Sequence, residues 1–188
     1  AGGIAMRRVT LPESSSSEPA KELVIGVDLC LDNESGVCVW DSALCLGEML
    51  MKRQLECGER VLELGAGTGY VGLVVAALGH HVTLTDRCAL VPLLQANIDS
   101  NSLQDCADAI ELEWGQAPAI SGINTVIMSD CVYLRETSPL LLQTLNALEP
   151  DKVIWAQEMR GIEEEFKELL FASGWTVQEV SAMPENDF

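Results

Sequence analysis

Apolar and polar positions alternate along the chain from Lys21 onward with two different periods. Short apolar runs predict strands at 61–64, 81–86, 110–114, 125–129, 153–156 and 175–182. Apolar residues at helical spacing predict helices at 41 to about 54–56, 70–78, 89–98, 139–148 and 162–172. Because strand and helix alternate, the pattern indicates an α/β fold in which a doubly wound parallel sheet lies between two helical layers.

The first twenty residues have a different character from the rest. Residues 14–19 read Ser-Ser-Ser-Ser-Glu-Pro, a polar stretch that buries too little apolar area to offset the entropy lost on ordering. We therefore predict a disordered tail at 1–20 and a single domain at 21–188. Within the domain, Leu23–Ile25 and Val27–Leu31 alternate as short strands do, so a small N-terminal strand pair is expected before the main sheet.

Composition and charge narrow the possible partners. The chain has 188 residues, 48% of them hydrophobic, and its longest apolar runs, such as Val71–Leu78, are far shorter than the ~20 residues that cross a bilayer. Eleven Lys and Arg face 29 Asp and Glu, a formal net charge of −18 that repels phosphate backbones and anionic lipids. We expect a monomer that binds neither nucleic acid nor membranes but attracts basic protein surfaces.

The seven cysteines are an odd number and show no C-x-x-C spacing. No secretory signal pattern precedes them. We therefore expect reduced thiols that serve as small buried apolar residues. Reduced thiols indicate a protein of the cytoplasm, with the nucleus as a further location. We expect no metal site.

A glycine-rich loop carries the first chemical signal. Gly65, Gly67 and Gly69 directly follow a predicted strand and precede a predicted helix, so backbone N–H groups there can approach a ligand closely. Asp86 ends the next strand, 21 residues after Gly65, where its carboxylate can accept hydrogen bonds from both ribose hydroxyls of an adenosine. The combination predicts an adenosine-containing cofactor.

The identity of that cofactor depends on charge. Residues 67–72 also match the G-x-G-x-x-G pattern of dinucleotide-binding folds, which has a high false-positive rate on its own. Here, however, the pattern starts two residues late relative to the strand end. Glu63, inside the strand, would repel a pyrophosphate but could help to position a cationic ligand. These features favour S-adenosylmethionine, which carries a sulfonium and an amino group and no phosphate.

Five segments together resemble a known family. The chain is similar, in motif order and spacing, to the seven-β-strand protein-lysine methyltransferases, and the likeness extends from 36 to 188. The motifs are Val39–Ala43, Val61–Gly69, Thr85–Arg87, Glu113–Gly115 and Ser129–Tyr133. Met128–Tyr133 followed by Leu140–Leu145 most resembles the group that methylates the valosin-containing AAA ATPase and its chaperone-modifying relatives.

The resemblance implies a Rossmann-like methyltransferase sheet and a set of cofactor-binding residues. These are Trp40, Gly65, Ala66, Gly67, Asp86, Trp114 and Ser129. Trp40 and the glycine-loop backbone would contact the methionine and ribose side, Asp86 the ribose, and Trp114 the adenine, while Ser129 would line the pocket.

The resemblance also implies the residues that meet the substrate. Asp130 and Tyr133, in the family's Asp-x-x-Tyr motif, would face the incoming lysine. Asp130 would orient the amine as a hydrogen-bond acceptor, and the Tyr133 ring would attract the cationic lysine as it enters, which contributes roughly 0.5–2 kcal/mol. The family fold ends in an antiparallel strand pair, and the sequence given stops where the last strand is expected to begin.

The sequence therefore predicts an S-adenosylmethionine-dependent protein-lysine methyltransferase that acts on a protein such as an AAA ATPase or a chaperone. Two alternatives stay open at this stage. One is a methyltransferase for a small molecule or another protein side chain, and the other is a non-catalytic adaptor with the same fold.

Overall fold

The computed structural model describes residues 4–10, 22–28, 37–52, 55–56, 58–116 and 119–180. In those ranges the strands are β1 (Ile4–Thr10), β2 (Glu22–Asp28), β3 (Arg60–Leu64), β4 (His81–Asp86), β5 (Ala107–Glu111), β6 (Thr125–Ser129) and β7 (Lys152–Ala156). The helices are α1 (Asp41–Lys52), α2 (Tyr70–Ala77), α3 (Val91–Ser100), α4 (Ser138–Leu148) and α5 (Ile162–Ala172). No helix in those ranges is long and apolar enough to cross a membrane.

The central sheet has five parallel strands in the order β5-β4-β3-β6-β7. The chain runs outward from β3 to β5 on one side, then returns to place β6 next to β3 on the other. This reversal leaves a crevice at the carboxyl ends of β3 and β6, where open α/β sheets bind ligands. The expected Rossmann-like parallel sheet is confirmed.

Both faces of the sheet are buried, which explains the continuous apolar strands. Along β3, Val61 belongs to a core cluster with residues of α1, α2 and α3, whereas Leu62 and Leu64 belong to a second cluster with residues of α4 and α5. Helix α2 is buried at every position, because it packs against both α1 and the sheet. The three-layer arrangement follows from these two clusters.

The N-terminal part differs from the prediction. Residues 4–10 form β1 inside the predicted tail, because they pair antiparallel with β2 over seven residues, from Ile4↔Asp28 to Thr10↔Glu22. This segment of the predicted tail thus pairs as a strand, while the serine stretch lies outside the described residues. The expected strand pair exists, but Leu23–Ile25 and the start of the second predicted strand form one continuous strand, since glycine at position 26 does not interrupt the ladder.

Strand β2 is fastened to the main domain by Asn101. The Asn101 side chain accepts from the Val24 N–H at 2.6 Å and donates to the Val24 carbonyl at 2.7 Å. Leu23 and Ile25 are buried in the first core cluster. The two-stranded sheet therefore packs beside α3.

The strand predicted at 110–114 lies three residues earlier, as β5. Its ladder with β4 starts at Val82↔Ala107 and ends at Asp86↔Glu111, directly after the turn that follows α3. The small residues at the start of β5 gave a weak apolar signal, which explains the shifted prediction. Trp114 consequently lies in a turn and not in a strand.

The predicted strand at 175–182 is wrong over 175–180, which form no ladder, and 181–182 lie outside the described residues. Trp175 and Val177 alternate inward against the second core cluster. The Trp175 indole N–H also donates to the Asn146 side chain at 2.9 Å. The alternation of apolar residues therefore reflects packing against α4 and α5. Among the described residues no strand lies alongside this segment, so it lacks the partner that a β-strand needs.

Candidate functional site

The glycine loop forms one wall of a crevice at the carboxyl edge of the sheet. Gly65, Gly67 and Gly69 all have positive φ, at 62°, 57° and 78°. A Cβ on Gly65 would lie 3.0 Å from both the Cys131 sulfur and the Trp114 ring. Glycine is thus required at position 65 by backbone conformation and by space.

Asp86 connects the end of β4 to this loop. Its two carboxylate oxygens accept one backbone N–H each, from Gly67 at 2.8 Å and from Arg87 at 2.7 Å. Burial raises the pKa of the carboxyl, which those two N–H donors and the Arg87 charge oppose. A carboxylate has about four acceptor positions, so Asp86 can still accept hydroxyl donors from a ligand.

Glu63 is a second carboxyl group in the same crevice, and it is almost fully buried. It accepts the Gly72 N–H at 2.8 Å, in the first turn of α2. Burial, aided by the Asp86 charge, raises the pKa of Glu63 to about 8, although the Gly72 hydrogen bond acts in the opposite direction. The crevice therefore contains an acid whose ionisation is favoured by a nearby cation.

The crevice encloses a cavity of about 540 Å³. All ten residues predicted from the sequence line it. They are Trp40, Glu63, Gly65, Ala66, Gly67, Asp86, Trp114, Ser129, Asp130 and Tyr133. Trp40 and Tyr133 are among the more exposed large side chains, so they lie at the mouth. The structure places these residues together, and the individual roles stay predictions.

Asp130 follows β6 in an unusual conformation. Its φ is 54°, in the left-handed region, and its N–H donates to the Ala156 carbonyl at 2.9 Å. The carboxylate accepts from the Gln157 side chain at 2.6 Å and from the guanidinium of Arg160 on both oxygens. A non-glycine residue held at positive φ at a cavity wall is typical of a functional position.

Gln157 joins three parts of this wall. Besides donating to Asp130, its side-chain oxygen accepts the Val132 N–H at 3.0 Å and the Trp155 indole N–H at 3.3 Å. The Asp130 loop is therefore held against the end of β7. Sequence reasoning missed Gln157 and Arg160, which lie 27 and 30 residues from Asp130 and approach it only because Ser129 pairs with Ala156.

Cys131 lies at the base of the cavity, and sequence reasoning gave it only a packing role. Its thiol donates to the Leu64 carbonyl at 3.2 Å. Complete burial raises the pKa of this thiol strongly, and the Asp86 and Glu63 carboxylates raise it further. Burial thus disfavours the reactive thiolate form of Cys131.

The turn that contains Trp114 is fixed by α4. The Gly115 N–H donates to the Thr144 hydroxyl at 2.8 Å, and the Gln143 side chain donates to the Gly115 carbonyl at 2.8 Å. Gly115 has a φ of 88°. These contacts hold the Trp114 ring close to Gly65.

Within the described ranges, no cluster of three His, Cys, Asp or Glu side chains is placed to hold a metal ion.

The chain is similar in sequence to known proteins. A family model described as lysine methyltransferase matches residues 18–171. The Danio rerio protein N-lysine methyltransferase METTL21A is 44% identical over 117 residues, 58% of this chain and 54% of that protein. The Mus musculus EEF1A lysine methyltransferase 3 is 34% identical over 183 residues, covering 87% of this chain and 77% of that protein. The chain thus spans about half the length of the METTL21A relative.

The fold is also similar to that of a solved structure. A human methyltransferase 10 domain containing protein superimposes with a TM-score of 0.58 over 80% of this chain and 79% of that one. Its sequence identity is 11%, so the likeness is one of fold.

Proposed function

Because the chain belongs to the lysine methyltransferase family, whose model covers residues 18–171, we propose that it is an S-adenosylmethionine-dependent protein-lysine N-methyltransferase. The observation that carries this proposal is the pair of buried carboxyl groups, Glu63 and Asp86, beside the glycine loop. Carboxyl groups in these positions favour a cationic adenosine ligand, which promotes their ionisation, over a pyrophosphate, which opposes it.

The residues present fit S-adenosylmethionine in three respects. Asp86 retains acceptor capacity for two ribose hydroxyls, at the end of the strand where adenosine ligands bind. Because Gly65 has no Cβ, the Trp114 ring and the Cys131 thiol, which both line the cavity, can lie against the glycine loop. Glu63 is an acid that a neighbouring positive charge would ionise. Trp114 would then face the adenine and Trp40 the methionine part.

When bound, S-adenosylmethionine would supply a methyl group whose bond to sulfur breaks as the lone pair of the acceptor nitrogen forms the new bond, the S–C electron pair staying on sulfur. The protein's task is to present a neutral amine in line with that methyl group. Asp130 would accept a hydrogen bond from the amine. Tyr133, exposed at the mouth, would attract the lysine as it enters.

We propose a folded protein as substrate. The formal net charge of −18 favours a basic surface around the target lysine. The sequence resemblance suggests an AAA ATPase or a chaperone, whereas the name of the mouse relative points to EEF1A. All three are candidates for direct assay. We further propose that the enzyme is a monomer. Its proposed location is the cytoplasm, with the nucleus as a second location.

Calorimetry with S-adenosylhomocysteine, the expected cofactor product, tests the cofactor part of the proposal. Micromolar binding of this compound with no binding of NADH is the expected result. Binding of NADH alone would overturn it. A chain that binds neither ligand would support the adaptor alternative.

Transfer of labelled methyl groups tests the acceptor part. The enzyme is incubated with methyl-labelled S-adenosylmethionine and either a cell extract or purified EEF1A, AAA ATPase and chaperone, and labelled lysines are located by mass spectrometry. Asp130→Asn should abolish the labelling and retain S-adenosylhomocysteine binding. Asp108→Asn, at an exposed position of β5, is the matched control. Label found only on small molecules or on other side chains would refute the lysine assignment.

A further inference from the structure

The Asp130 carboxylate is already neutralised by the chain itself. Arg160 approaches it with two nitrogens, Nη1 on Oδ1 and Nη2 on Oδ2, the second at 2.9 Å. The side chain of Asp130 is 7% exposed and that of Arg160 is 30% exposed, so water screens the pair only in part. Both residues line the cavity. Arg160 thus already pairs with Asp130, the carboxylate that is predicted to meet the positively charged lysine of the substrate.

Arg160 is held in place from its backbone as well. Its N–H and that of Gly161 donate to the two carboxylate oxygens of Glu163, at 2.9 and 2.8 Å. Glu163 is buried in the first turn of α5. The guanidinium also contacts Glu158. These contacts anchor the arginine at the start of a helix, which favours a fixed pair over a side chain that swings away.

Such a pair changes what Asp130 can do for an amine. A lone buried carboxylate would stabilise the acceptor as an ammonium ion, which has no lone pair to accept a methyl group. An ion pair has no net charge, and its positive member favours the neutral amine. Oδ1 accepts from Gln157, Arg160 and the Glu158 N–H, whereas Oδ2 has one partner among the described residues and keeps a lone pair for an N–H donor.

We propose that Arg160 is a positioning residue for methyl transfer: by remaining paired with Asp130, it prevents that carboxylate from holding the acceptor lysine as an ammonium ion. The inference rests on the proposed function. The proton that the amine loses goes to water, and Oδ2 of Asp130 orients the neutral nitrogen. Arg160 therefore acts through Asp130 and not on the methyl group.

The other ionisable groups around the pair belong to several elements. Those near Arg160 are Glu158 and Glu163, and those of the Asp130 segment are Cys131 and Tyr133. Across the cavity lie Glu63, Asp86, Arg87 and Glu113. Carboxyl groups outnumber the two arginines in this set. Removal of Arg160 would leave Arg87 as the one arginine of this set and would therefore shift the balance further towards a protonated amine.

The test measures the pH dependence of kcat and KM for wild type, Arg160→Gln and Arg160→Lys, with the acceptor protein labelled most strongly in the transfer assay. Arg160→Gln should raise the apparent pKa on kcat by about one unit, and so lower kcat about tenfold near pH 7. The loss should disappear at high pH, with KM unchanged or lower. Arg160→Lys, which keeps the charge, should restore most of the rate.

Arg135→Gln is the matched control, because Arg135 pairs with Glu165 on the surface and does not line the cavity. Its pH profile should equal that of wild type. Equal profiles for Arg160→Gln and wild type, or a loss of rate that persists at high pH, would overturn the inference. Should Arg160→Gln fail to bind S-adenosylhomocysteine, Arg160→Met is measured in its place with the same expectation. A wild-type enzyme that binds S-adenosylhomocysteine but labels no acceptor would instead refute the proposed function itself.

Discussion

The Glu63 carboxylate accepts the backbone N–H of Gly72 at 2.8 Å, so an acid in the central strand is tied to the first turn of α2. That N–H belongs to the helix start, where amides lack partners within the helix. The contact requires a glycine, because a Cβ at position 72 would lie 1.9 Å from the Leu84 side chain and 2.5 Å from the Glu63 carboxylate. Close packing of helix on sheet thus sets the geometry of a site residue.

Gly72→Ala should destabilise the protein, although alanine is the better helix former by about 1 kcal/mol. The collision with Leu84 involves a fully buried side chain and should exceed that gain, with a net loss of about 2 kcal/mol or more. Urea unfolding followed by circular dichroism measures it. In the control Gly79→Ala the new methyl group meets nothing within 4 Å and only positive φ opposes it. A Gly72→Ala protein as stable as wild type would contradict the packing described.

Glu63 should make stability depend on pH. Because its pKa is about 8 when folded and near 4.5 ordinarily, the unfolded chain loses this proton first as pH rises. The contribution of protonated Glu63 to the free energy of unfolding is therefore complete below about pH 4.5. It is lost as pH rises through 8, and the loss amounts to at most about 5 kcal/mol. The free energy of unfolding should therefore fall less between pH 5 and 8 in Glu63→Gln than in wild type.

Urea unfolding of a second variant, at the same pH values, provides the control for Glu63→Gln. Glu111→Gln, at an exposed position that ends β5, should keep the wild-type slope. Asp86, whose pKa is also raised by burial, contributes with the same sign. Equal slopes for Glu63→Gln and wild type would mean that Glu63 is ionised in the folded protein across this range.

Much of the central sheet could be predicted because its signals are local. The strand at 81–86 and the helix at 162–172 have the predicted bounds, since each buries a face whose period is visible in the sequence. The pairing of residues 4–10 with β2 and the absence of a ladder at 175–180 depend instead on which backbone lies alongside. Pairing of that kind leaves no periodic signal.

Some residues of the candidate site could likewise be predicted from the sequence, and others could not. The glycine loop and Asp86 follow strands directly, so their meeting at one sheet edge could be predicted. Arg160 and Gln157 could not, because they reach Asp130 only through the register of β6 with β7. A charged residue in the loop after β7 had no motif to distinguish it. The sequence therefore indicates the cofactor side of the cavity more fully than the substrate side.

Asp86→Asn should weaken the binding of S-adenosylhomocysteine by about tenfold or more, because it removes the charged acceptor for the ribose hydroxyls. The amide keeps one oxygen, so the Gly67 contact can persist and the fold should survive. Calorimetry measures the dissociation constant, and a thermal melt confirms folding. Asp108→Asn, an exposed strand residue, should bind as wild type does. An unchanged dissociation constant for Asp86→Asn would exclude this carboxylate from the cofactor site.

Cys131 should resist alkylation in the folded protein, whereas Cys45 and Cys88 should react. The thiolate is the reactive form, and burial beside the Asp86 and Glu63 carboxylates raises the pKa of Cys131 strongly. Cys45 and Cys88 are exposed. With iodoacetamide at pH 8, peptide mass spectrometry should find Cys131 modified at least about a hundredfold more slowly than Cys88. In urea the rates should converge, because unfolding removes the burial. Equal alkylation rates for Cys131 and Cys88 in the native protein would contradict this prediction. They would mean that solvent reaches the base of the cavity and that burial does not hinder ionisation of the Cys131 thiol.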